Sequence, residues 1–364
     1  MPVSPGNVSP VCHDFGMRPA LRAGLLPVWR NRDTLQIGVN PRRAMALSGI
    51  GPSAAVLTLL DGSRDWTAII EAAGQAGVPA EAAHRVLGLL AGAGALAESA
   101  ARPLSALPAD QRGRLAPELA TASLAYGDSD GGARTLARRR AACVRVHGAG
   151  RIGSGLASLL AAAGIGRIVI EDAEITRPQD LTPAGLSLAE LDLPRAAGTA
   201  RAIRRIAPEV RTGDSTVQPD LVVLAEVSDP GPAAVLVRER IPHLVVTATE
   251  AVGVVGPLVS PGRSACLRCL DLARAERDPA WPLILAQIAG CRPLPQACDT
   301  VLAAAAGALA AAQVLLFIDT GRPGEAVTNG TLELAVPDWQ WRRRTWRPEP
   351  RCTCGASPDG MTDN

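Results

Sequence analysis

The sequence contains no lysine; all 37 of its basic residues are arginine. That excludes a Walker-type phosphate lysine, a lysine Schiff base and a lysine general base. Charge excess is nearly absent as well, with a formal net charge of +2, so no nucleic-acid-binding surface is expected to dominate the chain. The first 17 residues lack a basic segment followed by an apolar core. They read as a disordered lead and not as a signal peptide. With no export signal the expected compartment is the cytoplasm, where thiols stay reduced, and the eight cysteines become metal ligands or bystanders. One segment needs a membrane check: Val301 to Ile318, VLAAAAGALAAAQVLLFI, is uncharged and at the lower edge of a spanning length. Its alanine-rich composition and Gln313 favour the buried helix of a soluble core, and no membrane partner is expected.

What is present suits a globular protein. A chain of 364 residues, 47% apolar, predicts two domains. The stretch Val144 to Asp172, VRVHGAGRIGSGLASLLAAAGIGRIVIED, reads as strand, glycine-rich turn, helix and second strand ending in acid. Gly148, Gly150 and Gly153 permit a tight turn and close approach of a phosphate, which the helix N-terminus would attract. Asp172 stands where an acid would hold ribose hydroxyls. Together these make the dinucleotide fingerprint; the bland alternative is a glycine-rich turn without a ligand. Beyond it, helix Arg195–Ile206, strand Asp220–Leu224, helix Ala233–Arg240 and strand His243–Val246 alternate. This predicts an α/β, doubly wound, Rossmann-like sheet. His147 and His243 fall in strands and read as structural.

The N-terminal part has a different grammar. Leu26 and Val28, then Leu35, Ile37 and Val39, flank Asn31-Arg32-Asp33 as in a hairpin. Ser53–Leu60 reads as a short helix, and Ser63 or Asp65 can cap a second one over Trp66–Ala73. Pro79 starts a third, and Ala95-Leu96 returns as a strand. Residues 18–100 are therefore expected to form a small α+β, winged-helix-like domain. Its eight arginines against six acids are thin for DNA. Peptide binding along the hairpin edge and a docking domain without ligand remain. Residues 101–141 have linker composition, with Arg138–Arg140 as a solvated face.

Cys266-Leu-Arg-Cys269 and Cys352-Thr-Cys354 are two close-spaced pairs, the donor set of a structural zinc site. A redox CxxC is the alternative, but it leaves the second pair unexplained. Cys291 and Cys298 are candidate ligands or nucleophiles; Cys12 and Cys143 read as bystanders.

The fingerprint, the run GVVGPLVSPGRSACLRCL and the late cysteine pair together resemble the ThiF/MoeB-like adenylating superfamily, relatives of ubiquitin-activating enzymes. The resemblance covers roughly Ala142 to Gly355, within an expected ThiF-like domain over 142–364. A winged-helix-like module ahead of such a domain is similar to proteins of ribosomal-peptide modification. It implies ATP with Mg²⁺ at the glycine loop, Zn²⁺ at Cys266, Cys269, Cys352 and Cys354, and adenylation of the carboxylate of a small protein or precursor peptide. It also implies a homodimer. Carried over residue by residue, Gly148, Gly150, Arg151, Gly153 and Asp172 belong to the nucleotide site, and Arg195, Arg177 and Asp229 (or Glu226) to catalysis. The match is incomplete: Asp180 and Pro183 stand where the family has asparagine and arginine. Losing preorganised cationic or amide donors weakens adenylation by on the order of 10²–10³ per group, and a carboxylate at Asp180 would repel a triphosphate. The alternative is a non-catalytic scaffold that binds a leader peptide and docks a cyclodehydratase-type partner enzyme. The fingerprint alone would also allow a nicotinamide oxidoreductase, which the cysteine pairs and the lack of a placed catalytic histidine disfavour.

Overall fold

Apolar alternation in the sequence becomes two units, 1–137 and 138–364, in the computed structural model, which describes residues 18–98, 107–213, 216–226, 231–290 and 297–357. In the first unit, β1 (Pro19–Leu21) pairs antiparallel with β5 (Leu96–Glu98). A separate antiparallel sheet has the order β2 (Pro27–Trp29), β3 (Thr34–Ile37), β4 (Met45–Ser48). The β2–β3 turn forms because the Asn31 side chain accepts from the backbone N–H groups of Asp33 and Thr34 at 2.9 and 2.7 Å. The expected helix at Ser53–Leu60 is a 3-10 run over Gly51–Leu59. Asp65, not Ser63, caps α1 (Trp66–Gln75), accepting from Ala68 N–H at 2.9 Å. Helix α2 (Ala80–Gly92) buries Val86, Leu87 and Leu90 on one face, against a core that includes Ile37, Val56 and Ile69.

The linker expectation for 101–141 gives way, over its described part, to α3 (Ala109–Tyr126) and α4 (Ala133–Ala141). Pro108 stands at the start of α3, Pro117 is accommodated inside it, and Leu115, Leu119 and Leu136 bury together. Arg22 is 6% exposed and donates to the carbonyls of Gly94, Ser123, Gly127 and Asp128, closing the ends of α2 and α3. Residues 1–17 lie outside the described part.

The second unit is an eight-stranded sheet. Its strands are β6 (Cys143–His147), β7 (Arg167–Glu171), β8 (Arg211–Thr212), β9 (Leu221–Ala225), β10 (His243–Thr249), β11 (Val252–Val259), β12 (Gly330–Ala335) and β13 (Trp341–Thr345), in the order 13-12-11-10-9-6-7-8. From β10 to β8 neighbours run parallel; β11 to β13 add antiparallel strands. Winding proceeds outward from β6 in one direction and from β9 in the other, so the switch point lies between them, where open α/β sheets place ligands. Helix α5 (Gly153–Ala162) follows β6, α6 (Arg195–Ile206) leads to β8, and α7 (Gly231–Arg238) joins β9 to β10.

The uncharged run 301–318 lies in α10 (Thr300–Thr320), after α8 (Leu267–Arg277) and α9 (Trp281–Gly290). Leu302, Ala303, Ala306, Ala310 and Val314 of α10 are buried in the main core with α5, β10 and β11. Among the described residues no other helix is long and apolar enough to cross a membrane. The arginine run is also not a plain solvated face: Arg139 is 7% exposed and holds the buried carboxylate of Asp319 at 2.8 and 2.7 Å, because α4 leads straight into the sheet.

Candidate functional site

Two places in the second unit gather the expected residues. The first is the turn after β6. Gly148 has φ +92°, and a Cβ there would overlap the Ala225 carbonyl oxygen of β9. A Cβ on Gly153 would overlap the Gly148 carbonyl oxygen. These two glycines are thus required by backbone packing alone. Gly150 differs, since its Cβ would meet a side chain, the Glu226 carboxylate, at 2.6 Å. Asp172, one residue beyond β7, accepts from Ala149 N–H at 2.7 Å and from Glu174 N–H at 2.8 Å. Arg151 leaves the loop toward the Gln179 carbonyl and Thr300 Oγ1, both at 3.0 Å.

Arg195, the first residue of α6, is turned into this place and meets Asp180 in a fork, Nε to Oδ2 at 2.9 Å and Nη2 to Oδ1 at 2.7 Å. Asp180 is wholly buried and takes a third bond from Arg177 N–H at 2.8 Å. Asp172 lies 3.7 Å from Arg195 Nη1. Burial would lower the Arg195 pKa, but the bonds and charge of Asp180, with Asp172 and Glu174, outweigh it and raise it. Glu226 follows β9 with φ +57° and accepts from Ile152 N–H at 3.4 Å. Burial pushes its carboxyl up, and Asp180 and Asp172 add to that against Ile152 N–H and Arg195. Arg177 does not join this group through its side chain, which is half exposed and lies 3.6 Å from Glu174. Asp229 lies outside the described residues, as does Cys291. Cys298 is buried, and burial pushes its thiol up to about 11, so it is protonated at neutral pH and no ready nucleophile.

The site therefore brings together Gly148, Gly150, Gly153, Asp172 and Arg195. The Asp180–Arg195 fork and the seat of Glu226 are not readable from local sequence. The only signal for Glu226 is an acid at the end of a buried strand beside the switch point. For ATP with Mg²⁺ the fit is divided. The loop geometry and Asp172 suit a nucleoside. The phosphate end does not fit, because three carboxylates face one arginine and both oxygens of Asp180 are already engaged.

The second place is the cysteine cluster. Cys266 and Cys269 begin α8, while Cys352 and Cys354 lie beyond β13. The Sγ atoms are 3.9 Å apart for Cys266–Cys269 and 3.6 Å for Cys266–Cys352 and Cys269–Cys354, and all lie within 4.8 Å of one another. A tetrahedron with Zn–S near 2.3 Å has edges of about 3.8 Å, so the four thiols fit a metal ion of that size. The C-terminal segment reaches α8 because Trp346 is buried and donates to Thr331 Oγ1 at 3.0 Å. Arg274 of α8 stacks on Trp346 at 5.1 Å and on Trp281 at 4.9 Å. A cavity of about 340 Å³ beside the cluster is lined by Ala233, Val237, Leu267, Arg268 and Asp271, among others.

Glycine loop, switch point and cysteine cluster lie within residues 128–356, which match the model of the ThiF family. The chain belongs to the ThiF family. Solved structures agree with the fold. Escherichia coli MccB with MccA-N7isoASN is 17% identical, with a TM-score of 0.68 over 93% of this chain and 100% of that one. Escherichia coli MccB with ATP is 17% identical, with a TM-score of 0.65 over 92% of this chain and 99% of that one. PaaA is 15% identical, with a TM-score of 0.57 over 72% of this chain and 91% of its own. At such identities the likeness concerns the fold alone. None of the curated proteins matches the chain.

Proposed function

We propose that this protein is a precursor-peptide-binding member of the ThiF family in ribosomal-peptide modification, working as a scaffold for a partner modifying enzyme. The observation that carries this reading is the buried fork of Asp180 on Arg195. Adenylyl transfer builds negative charge that cations must stabilise, and here Arg195, turned into the cradle, is neutralised by a fully buried carboxylate.

The peptide would bind the first unit. Backbone bonds Arg30 N–H to Thr34 O and Gly38 N–H to Leu26 O direct Leu26 and Arg30 toward β3, leaving Pro27 and Trp29 on the outer edge of β2. Pro27 has no N–H to offer, so that edge is blunted. By the same alternation Ala46 and Ser48 of β4 turn their backbone groups outward, and both are exposed. An extended peptide can add there as a fourth strand. Arg30, Arg32, Arg42 and Arg43 against Asp33 favour an acidic one. The residues beyond the sheet, 61–98, carry five acids and two arginines.

Zn²⁺ at the four cysteines would hold the C-terminal segment in place. A second copy would meet the uncharged outward residues of α10, Val301, Ala304 and Ala308. The intact Gly148–Gly153 loop and the likeness to MccB solved with ATP and with MccA peptides favour a second reading, adenylation of a peptide carboxylate.

Pyrophosphate exchange with ATP and candidate precursor peptides separates the two, alongside peptide binding by fluorescence anisotropy. The scaffold predicts peptide binding without exchange, weakened by Ala46→Pro. Peptide-dependent exchange by the purified chain would sink it.

A further inference from the structure

We propose that Glu226 is the built-in occupant of the phosphate seat, an internal carboxylate that excludes nucleotide phosphates from the glycine loop. The inference rests on the reading that this cradle no longer performs adenylyl transfer, and it names the residue that sets its specificity.

The second glycine of such a loop lacks a side chain so that a pyrophosphate can approach the backbone. At Gly150 that space is filled from within the chain: Glu226 Oε2 lies 2.6 Å from where a Cβ would stand, and Asp180 Oδ1 lies 3.7 Å from the same point. Two of the loop's donors are likewise turned to the chain's own acids. Ile152 N–H, at the start of α5, points to Glu226 Oε2 at 3.4 Å, and Ala149 N–H is held by Asp172 Oδ2 at 2.7 Å. The carboxyl reaches this position because Glu226 turns out of β9 with φ +57°, a left-handed conformation uncommon for a residue with a side chain. Arg195 already faces Asp180 and Asp172, and Arg151 is turned to the Gln179 carbonyl and Thr300 Oγ1.

Divalent-cation binding is the other role an acid here could have. It is strengthened by a second carboxylate beside the first. Asp180 cannot supply one, because Oδ2 accepts from Arg195 Nε and Arg177 N–H and Oδ1 accepts from Arg195 Nη2.

The test is calorimetric titration of the full chain with ADP and with tripolyphosphate, with and without Mg²⁺, for wild type, Glu226→Gln and Glu226→Gly. The glycine variant suits φ +57°, so it is expected to fold as well as wild type, and its melting temperature checks this. Opening the seat is expected to tighten ADP and tripolyphosphate binding about tenfold or more without Mg²⁺, with Glu226→Gln in between. A stable Glu226→Gly protein that binds neither polyphosphate more tightly than wild type overturns the proposal. So does Mg²⁺-dependent ADP binding by wild type that Glu226→Gly abolishes, since Glu226 would then be a metal ligand. Pyrophosphate exchange tests the scaffold reading separately: tighter binding by Glu226→Gly without exchange upholds both, whereas unchanged binding without exchange removes only the role of Glu226.

Discussion

The glycine loop and the cysteine cluster sit on one sheet and have kept different things. In the cluster, geometry and chemistry coincide: four thiols stand 3.6–3.9 Å apart along the measured edges, and each is a donor. In the loop, two glycines are fixed by packing, and the nearest arginine, Arg195, is paired with Asp180. Gly148 and Gly153 are demanded by the carbonyls of Ala225 and Gly148 with or without a ligand. The lesson is that two of the three fingerprint glycines report backbone packing and not by themselves a nucleotide. The cysteines are buried too, but packing alone does not ask for four thiols within 4.8 Å of one another.

The sharpest way to break this comparison is to remove the metal. The cluster is expected to yield one zinc per chain on metal analysis. Cys352→Ser with Cys354→Ser should release it and cost several kcal/mol, since structural zinc contributes on the order of 10 kcal/mol in the smallest domains. A zinc-free protein whose melting is indifferent to chelator would dissolve the contrast.

Next comes Asp180→Ala, which leaves Arg195, 15% exposed, facing a pocket without its closest partner. A loss of about 3 kcal/mol in denaturant unfolding is expected, and Asp180→Asn should lose less. If neither variant is destabilised, the fork is not holding the cradle.

Gly148→Ala and Gly153→Ala should each cost about 2–4 kcal/mol by forced backbone movement, with added φ strain at Gly148. Gly150→Ala, which meets only the end of the Glu226 side chain, should cost about 1 kcal/mol or less. Equal losses at all three would remove the distinction between packing and ligand glycines.

The smallest effect concerns the sheet that carries both sites. His243 is fully buried on β10, and burial lowers its pKa despite the Ile241 carbonyl. The folded state therefore resists protonation, so its contribution is present above the unfolded value of about 6.5 and is lost as pH falls below it. Wild type should lose about 1 kcal/mol relative to His243→Leu between pH 7 and 5, measured by urea unfolding. Parallel pH profiles would refute this.

Much of the second unit was legible because its signals are local. Val144 and Val146 mark a buried strand, the glycines mark the turn, and two cysteine pairs mark a metal site. The hairpin around Asn31 and the cap at Asp65 were legible for the same reason. The helices over 109–141 were masked by Pro108, Gly113, Pro117 and Gly127, which look like linker until Leu115, Leu119 and Leu136 are seen to bury together. Arg139 read as surface because its partner, Asp319, is 180 residues away.

The sequence by itself determined the family, the α/β order and which four cysteines could hold a metal, since each depends on residue type at short spacing. Only the tertiary structure decided which carboxylate faces which cation. Asp180 meets Arg195 across 15 residues, and Glu226 reaches Ile152 N–H across 74. Charge acts through space at a few ångströms, so whether the cradle attracts or repels a phosphate is set by strand order and helix placement, which no local pattern encodes.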